Sequence, residues 1–201
     1  IVMSLTSFIG PKPNLFGIDE DKPTLRLEVH QPVLSNDDMA KLRNIDQLTQ
    51  GHYRSLVLDM TYPTEQGAAG CEKAMQVLCD AAVQAVADGY NVLILSDRAV
   101  SGKRVAIPAL LACAAVHHHL IREGMRTSAG LVVDTGSARE VHHFALLAGY
   151  GAEAVCPWLA YETVASMTGN LPEGLTAKEA GKRFNKAINK GLLKVMSKMG
   201  I

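Results

Sequence analysis

The chain has 201 residues, of which 48% are hydrophobic and only 5% aromatic, and its 20 Lys and Arg balance its 20 Asp and Glu. This length can bury one ordinary core, which Leu, Val, Ala and Ile must build because aromatic residues are scarce. The charge balance argues against a nucleic-acid binder, which would carry a basic excess. No apolar run approaches the roughly 20 residues of a membrane span, and no signal peptide is visible.

The four cysteines, Cys71, Cys79, Cys113 and Cys156, lack the spacing of a CxxC or Cys/His zinc motif. Three of them lie in segments of helical period and the fourth lies in a strand-like run. The sequence therefore predicts reduced thiols, buried in the interior of a cytoplasmic protein. The chain begins Ile-Val-Met and shows no terminal signal, so we expect a piece of a longer protein.

Residues 1–54 show little regular period and are predicted to form an ordered arm that wraps over the rest of the chain. Residues 4–9 fit a short helix or a short strand, and the alternation of residues 26–30 indicates a short strand. Ser35 or Asn36 precedes a run with acids in its first turn and bases in its last. That pattern predicts a capped helix.

Between residues 55 and 168, four strand-like runs alternate with helical segments, with strands that start near residues 55, 91, 129 and 152. Strands joined by helical crossovers are parallel, and strands buried on both faces read as continuous apolar runs. The predicted helices are Ala68–Asp88, Ile107–Arg122, Ser137–Ala148 and Leu159–Met167, the third opening with a Ser137/Glu140 capping box. The sequence predicts an α/β fold of four β/α units, either a half-barrel or a small parallel sheet.

Residues 175–201 are basic and helical in pattern, with a second predicted capping box between Thr176 and Glu179. Gly191 is expected to divide this C-terminal segment into two helices. Its bases recur at helical spacing and form one stripe, which is either solvated or faces a partner. These bases are Lys182, Arg183, Lys186, Lys190, Lys194 and Lys198.

Polar residues follow two neighbouring strands, where parallel α/β folds bind their ligands. The first group is Ser96, Asp97 and Arg98, and the second is Asp134 and Thr135 followed by Gly136. One interpretation is a rim that anchors an anionic ligand. The other is an Asp97–Arg98 ion pair, or a longer network, that fixes the loop.

Other suggestive patterns fail on geometry. The adjacent histidines of residues 117–119 point in different directions around a helix and cannot bind one ion well. Gly149 and Gly151 match the letters of a dinucleotide fingerprint, but they follow a helix and precede a strand, which indicates a helix stop and a turn. No phosphate loop or Gly-x-Ser-x-Gly elbow is present. We therefore assign no catalytic, cofactor-binding or metal-binding residue from the pattern of residues alone.

Four blocks carry a resemblance across nearly the whole chain: SLTSFIGPKPNLFGID, AIPALLACAAVHHHLIREGMRT, SAREVHHFALLAGYGAEAV and KAINKGLLKVMSKMGI. Together they resemble the central domain of the glutamate synthase large subunit. On this resemblance, residues 1–201 form a single, partial central domain. Asp134 and Ser137 stand where the family usually has Glu, and Cys156 and Trp158 stand where it usually has Asn and Tyr.

The resemblance implies a parent enzyme of several domains. An N-terminal amidotransferase domain uses a Cys nucleophile to release ammonia from glutamine. An FMN domain with a 3Fe-4S cluster condenses that ammonia with 2-oxoglutarate and reduces the imine to glutamate. The electrons come from NADPH through an FAD-containing small subunit, or from ferredoxin.

The resemblance also implies that the central domain lies between these two domains and helps wall the ammonia tunnel. The chain by itself would then be an inactive connector, in the cytoplasm or in a plastid stroma, with the amidotransferase and FMN domains as its partners. The alternative is a stand-alone half-barrel that binds a small anion at the strand-end rim. A third alternative is a homodimer through exposed edges of the fold.

Overall fold

A computed structural model of the chain describes residues 4–12, 16, 26–170 and 174–200. Its strands are β1 (Ser7–Ile9), β2 (Leu27–Val29), β3 (Ser55–Asp59), β4 (Thr61–Pro63), β5 (Val92–Ser96), β6 (Arg104–Ala106), β7 (Gly130–Asp134) and β8 (Ala154–Cys156). Its helices are α1 (Asn36–Arg43), α2 (Ile45–Leu48), α3 (Gly67–Ala87), α4 (Ala109–Arg122), α5 (Val141–Gly149), α6 (Trp158–Ser166) and α7 (Ala177–Met199). No helix in these ranges is both long and apolar enough to cross a membrane.

The central sheet has the strand order β3-β5-β7-β8, and all three pairings are parallel. Every residue of β5 and β7 is buried, as expected for inner strands that helical crossovers join. The predicted α/β fold of four β/α units is therefore confirmed. The structure adds a small antiparallel pair, β4 with β6, at the end of the sheet where the parallel strands finish.

Each face of the sheet packs against a different part of the chain. Helices α3, α4, α5 and α7 cover one face, where Leu93, Leu131 and Val133 lie in the larger core. The other face is covered by the arm. We call this face of the sheet the inner face, and its buried residues are Val92, Ile94, Val132, Ala154 and Cys156. The residues of the arm that pack against it are Ile9, Met39, Leu42, Ile45 and Tyr53.

The two edges of the sheet differ. Beside β8, Val33 forms a parallel bridge to Val155, whose amide donates to the Pro32 carbonyl at 2.7 Å. Residues 32–34 therefore cover that edge. Beside β3, no further strand is found in the described ranges, and Val57 is exposed.

The predicted cap of α1 is confirmed, because the Ser35 hydroxyl accepts from the Asp38 amide and the Asp38 carboxylate accepts from the Ser35 amide. The predicted Ser137/Glu140 box is wrong. Helix α5 begins at Val141, and Glu140 is its extended N-cap residue without a side-chain cap bond. The Ser137 hydroxyl lies 2.9 Å from the Thr135 hydroxyl instead, which holds residue 137 in the strand-end loop.

The start of α4 also differs from the prediction. The helix begins at Ala109 rather than Ile107, because the Ile107 amide donates to the Met60 carbonyl at 2.8 Å and so prolongs the extended backbone of β6. The interpretation of Gly149 and Gly151 as a helix stop and turn is confirmed. Helix α5 ends at Gly149, and Gly151 has a φ of +109° ahead of β8.

The predicted division at Gly191 is wrong, because α7 is one helix of 23 residues. A Cβ atom on Gly191 would overlap the Val141 side chain of α5 and lie 2.8 Å from its Cγ1. Gly191 therefore allows two helices to approach closely and does not break α7. Thr176 caps the helix by accepting from the Glu179 amide at 3.2 Å, which is the first half of the predicted box.

Candidate functional site

The parallel register brings the predicted rim residues together. Ser96, the last residue of β5, lies directly beside Asp134, the last residue of β7. The Ser96 hydroxyl donates to Asp134 Oδ2 at 3.0 Å. Thr135 follows Asp134 at the same end of the strands, and its amide donates to the carbonyl of Cys156 in the neighbouring strand β8.

Asp134 is fully buried, and two arginines neutralise it. Arg98 Nε lies 2.8 Å from Asp134 Oδ2, and Arg43 Nη2 lies 2.5 Å from the same oxygen. The other carboxylate oxygen, Oδ1, has no hydrogen-bond partner among the described residues. Arg43 comes from α1, far away in sequence, so the strand-end pattern gave no sign of it.

The predicted Asp97–Arg98 ion pair is wrong. The Asp97 carboxylate accepts from the Thr135 hydroxyl at 2.6 Å, from the Gly136 amide at 3.0 Å and from Trp158 Nε1 at 2.6 Å. Arg98 turns to Asp134 instead. Arg98 lies in a turn after β5, which is closed by the Val100 amide donating to the Asp97 carbonyl. The contacts of Asp97, Arg98 and Asp134 instead form the longer network, which was the alternative to a ligand-binding rim.

Arg98 connects four parts of the chain. Its Nη2 donates to Asn36 Oδ1 at 2.7 Å and lies 3.8 Å from Cys156 Sγ, and its guanidinium lies 5.3 Å from the centre of the Trp158 ring. Burial by itself would lower the pKa of Arg98, but the hydrogen bond and charge of Asp134 outweigh it, so the pKa lies above its ordinary value. Arg98 is a permanent cation within this cluster.

Cys156 is a poor nucleophile and a poor metal ligand in this setting. Burial, reinforced by the negative charge of Asp134, raises the pKa of its thiol to about 12. Burial likewise raises the pKa of Cys113 to about 12. Because the thiolate is the reactive and ligating form, both residues are inert buried thiols at neutral pH.

Neither the histidines nor the acids of the described residues form a group of three that could hold a metal ion. His117 accepts instead from Arg126 Nε at 2.9 Å. Burial first, and then the charge of Arg126, lower the pKa of His117 and keep its ring neutral. The structure thus gives His117 a packing role beside the sheet.

A second buried cluster, which no sequence pattern indicated, lies at the other end of the strands, where β7 and β8 begin. The Arg126 guanidinium donates to the Ala129 carbonyl at 2.7 Å and to the Gly151 carbonyl at 2.9 Å, and lies 3.4 Å from Glu153 Oε1. Glu153 Oε2 accepts from the Gly10 amide at 3.1 Å. Burial raises the pKa of Glu153, although the Arg126 charge opposes that shift. The cluster ties β1 to the sheet.

Four clefts of about 260 to 570 Å³ open among the described residues, and none is lined by Ser96, Asp97, Arg98 or Asp134. The cleft of about 570 Å³ lies beside β1, and one of about 470 Å³ lies between α1, α6 and α7. The two arginines of the rim are about one-third exposed, at 30% and 34%.

A family model of the glutamate synthase central domain matches residues 1–201. The chain belongs to that family. It is 41% identical over 203 residues to glutamate synthase (NADH) of Schizosaccharomyces pombe, and 36% identical over 201 residues to the glutamate synthase (NADPH) large chain of Bacillus subtilis. It is 37% identical over 216 residues to ferredoxin-dependent glutamate synthase of Pyropia yezoensis.

All of the chain is covered in each of these glutamate synthase matches, but it spans only 10% of the Schizosaccharomyces protein and 13% of the other two. The central domain is thus one part of a larger polypeptide in those relatives. Among solved structures, a mutant flavocytochrome b2 with benzoylformate matches 80% of this chain and 35% of its own, with a TM-score of 0.52 and 13% identity. That likeness concerns the fold alone.

Proposed function

We propose that this central domain is the structural connector of a glutamate synthase. It sets the spacing between an amidotransferase domain, which releases ammonia from glutamine, and an FMN domain, which makes glutamate from ammonia, 2-oxoglutarate and reductant. It also helps to wall the path of ammonia between them. The similarity to three glutamate synthases over the full length of the chain supports this parent. We place the parent in the cytoplasm, or in a plastid stroma.

The observation that carries the connector role is that the charged side chains of the strand-end cluster pair with other groups of the same chain. General acid–base catalysis needs a titrating group that can reach the substrate. Here Asp134 is neutralised by Arg43 and Arg98, and Asp97 is occupied by donors of its own chain. Charges that satisfy one another make a rigid support. A rigid wall that excludes water keeps a transferred intermediate at high effective concentration.

The 3Fe-4S cluster of the proposed parent does not fit the described residues. A 3Fe-4S cluster requires several thiolates close together, but Cys113 and Cys156 are held protonated, with a pKa of about 12 each. No group of three candidate metal ligands forms within the described ranges. We assign FMN and the cluster to the remaining polypeptide and its electron donors, NADPH through a small subunit or ferredoxin.

The test compares Arg98→Ala with wild type in the full-length parent. Loosening the strand-end cluster should let ammonia escape, so the ratio of glutamine hydrolysed to glutamate formed should rise at least twofold. Synthesis from added ammonium should persist. Arg183→Ala, which removes an arginine of an exposed pair at 4.0 Å, is the matched control and should leave the ratio unchanged. Loss of glutamine hydrolysis, or of synthesis from added ammonium, when each half-reaction of Arg98→Ala is assayed by itself would instead indicate a catalytic role.

The alternative, a small-anion binding module, rests on the partial exposure of Arg43 and Arg98 at the ligand-binding edge. Thermal unfolding of the chain with phosphate, 2-oxoglutarate, glutamine or FMN separates the two functions. A concentration-dependent rise in Tm that Arg43→Ala abolishes would favour the module. The connector predicts no such rise and no glutamine turnover by the isolated chain. A sizing column tests the third alternative, a homodimer.

A further inference from the structure

Helix α7 concentrates the positive charge of the chain. It holds seven of the 20 Lys and Arg residues and one of the 20 Asp and Glu residues. The balanced total therefore hides a segregation, because α7 has a net charge of +6 and the rest of the chain a net charge of −6. The stripe of bases predicted for the C-terminal segment therefore lies on a single helix.

Six of these cations form a regular row along the helix. Lys178, Lys182, Lys186, Lys190, Lys194 and Lys198 recur at every fourth residue, and all are exposed. We call them the lysine row. The apolar row Ala180, Phe184, Ile188 and Leu192 has the same spacing, and it packs against the rest of the domain.

The two rows are displaced by two residues, which corresponds to about 160° around a helix of 3.6 residues per turn. Each step of four residues turns the helix by about 400°, so either row moves about 40° round the axis per step. Lys186 and Lys190, in the middle of the lysine row, therefore point away from the domain, whereas Lys178 and Lys182 line the cleft between α1, α6 and α7. At about 1.5 Å per residue the lysine row extends for about 30 Å. Over this length the six cations of the row spiral by about 200° round the helix axis.

Two lysines of the row, Lys178 and Lys182, line a cleft that also contains Asp37, Asp38 and Glu162, but they form no ion pair with these acids. The ion pair described on α7 joins Arg183 to Glu179 at 4.0 Å, and no lysine of the row takes part in an ion pair among the described residues. Like charges at positions i and i+4 of a helix repel one another and destabilise it. Five such pairs follow one another here, so their repulsion lowers the stability of α7. Contact with an external anionic surface would offset that repulsion.

We propose that the lysine row docks onto an acidic surface in the remaining polypeptide of the parent synthase. This inference rests on the proposed function only for the existence of that parent. The relatives hold about nine-tenths of their length outside the matched region. A tethered surface meets the row at high effective concentration, so individually weak charge pairs suffice.

Two other anionic partners fit less well. A nucleic acid would extend beyond the row and meet a remainder of net charge −6, which repels its phosphates. A membrane-surface helix inserts its apolar face into lipid, but the apolar row of α7 is already packed in the core. An acidic protein surface that contacts only the exposed lysines meets neither obstacle. It does not extend over the acidic remainder of the chain, and it needs no exposed apolar face.

The test uses the full-length parent and a carbodiimide, which joins a lysine amine directly to a contacting carboxylate. Mass spectrometry should find the lysine row joined to Asp or Glu outside residues 1–201 of the same polypeptide, and high salt should reduce these products at least fivefold. Lys41, Lys73 and Lys103, which are exposed elsewhere, should give few such products. A mixture of isotope-labelled and unlabelled parent distinguishes joining within one polypeptide from joining between two.

The variant Lys182→Glu/Lys186→Glu/Lys190→Glu should lose the products of the remaining row lysines, and Lys41→Glu/Lys73→Glu/Lys103→Glu should keep them. The first variant turns two of the five repulsive pairs of the row into attractive ones and leaves three repulsive, so it should melt close to wild type, and unfolding would not explain the loss. Products that join two polypeptides, equal loss in both variants, or row-dependent binding of the parent to duplex DNA or phosphatidylserine vesicles would overturn the proposal. Coupling of the two half-reactions is measured separately and would survive such a failure.

Discussion

Asp134 shows how one side chain acquires its role from residues that the local sequence does not contain. Its position after a strand suggested a ligand rim, but its charge is taken up by Arg98 from the next strand and by Arg43 from the arm. A buried carboxylate must be paired, since an unpaired one costs several kcal/mol. Its pairing therefore joins the arm to the sheet.

The first prediction is that Asp134→Asn lowers the free energy of unfolding by roughly 3 kcal/mol, because two guanidiniums lose their shared anion. The partial exposure of both arginines keeps the loss at the low end of the usual range for buried pairs. Urea unfolding of the chain measures it. Glu179→Gln, at an exposed pair, is the control and should cost under about 0.5 kcal/mol. Equal small losses would show that the cluster adds little stability.

The second prediction concerns alkaline pH. Burial raises the pKa of Cys113 and of Cys156 from 9.0 to about 12, so the folded state holds both thiols protonated while the unfolded chain ionises them. Their stabilising contribution is complete below pH 9 and is lost as the pH rises toward 12, by up to about 1.4 kcal/mol per pH unit for each thiol.

Urea unfolding at several pH values above and below 9 tests this slope. The variant Cys113→Ala/Cys156→Ala should lose stability less steeply with rising pH than wild type does. Cys71→Ala, at a half-buried thiol outside both clusters, is the control and should keep the wild-type slope. Identical slopes in all three proteins would contradict the assignment.

At the scale of elements, Gly191 shows why a residue type can mislead. Glycine usually weakens a helix interior by about 1 kcal/mol relative to alanine, which made a break plausible. In the structure α7 continues through Gly191, because the missing side chain lets α7 lie against Val141 of α5. The glycine is required by the neighbouring helix, and its own helix tolerates it.

The third prediction follows from that contact. Gly191→Ala should destabilise the chain by about 1 to 3 kcal/mol, since overpacking exceeds the gain in helix propensity. Val141 is β-branched and cannot easily turn aside. The loss of stability caused by Gly191→Ala should be smaller when Val141 is already replaced by Ala, that is, when the double variant is compared with Val141→Ala. Thermal or urea unfolding of the four proteins measures the coupling, and additive losses would exclude the contact.

Over the whole molecule, the arm covers the face of the sheet that the crossover helices leave uncovered. A sheet of four parallel strands has two apolar faces, and its helical crossovers cover only one of them. Here the inner face is covered by β1, β2, α1 and α2, which bring Met39, Leu42 and Tyr53 onto it. The described residues of the predicted arm thus lie on the inner face of the sheet.

The fourth prediction is that the arm is an integral part of the core. Met39→Ala, at a side chain with no exposed surface in α1, should lower the free energy of unfolding by about 2 to 5 kcal/mol. Met167→Ala, at a methionine that is 48% exposed, is the matched control and should stay within about 0.5 kcal/mol. A single cooperative urea transition should report both losses. A small loss at Met39 would show that the arm is loosely attached.

The sequence by itself determined the parallel α/β core. Buried strands and amphipathic helices have periodic patterns of apolar residues, and these patterns predict the elements directly. The sequence also determined the Ser35 cap and the turn at Gly151, which depend on residues adjacent along the chain. Tertiary structure alone decided the partners of Asp134 and the reason for Gly191, since these contacts join segments 36 or more residues apart. Charges and close approaches act through space, so a linear pattern holds no record of them.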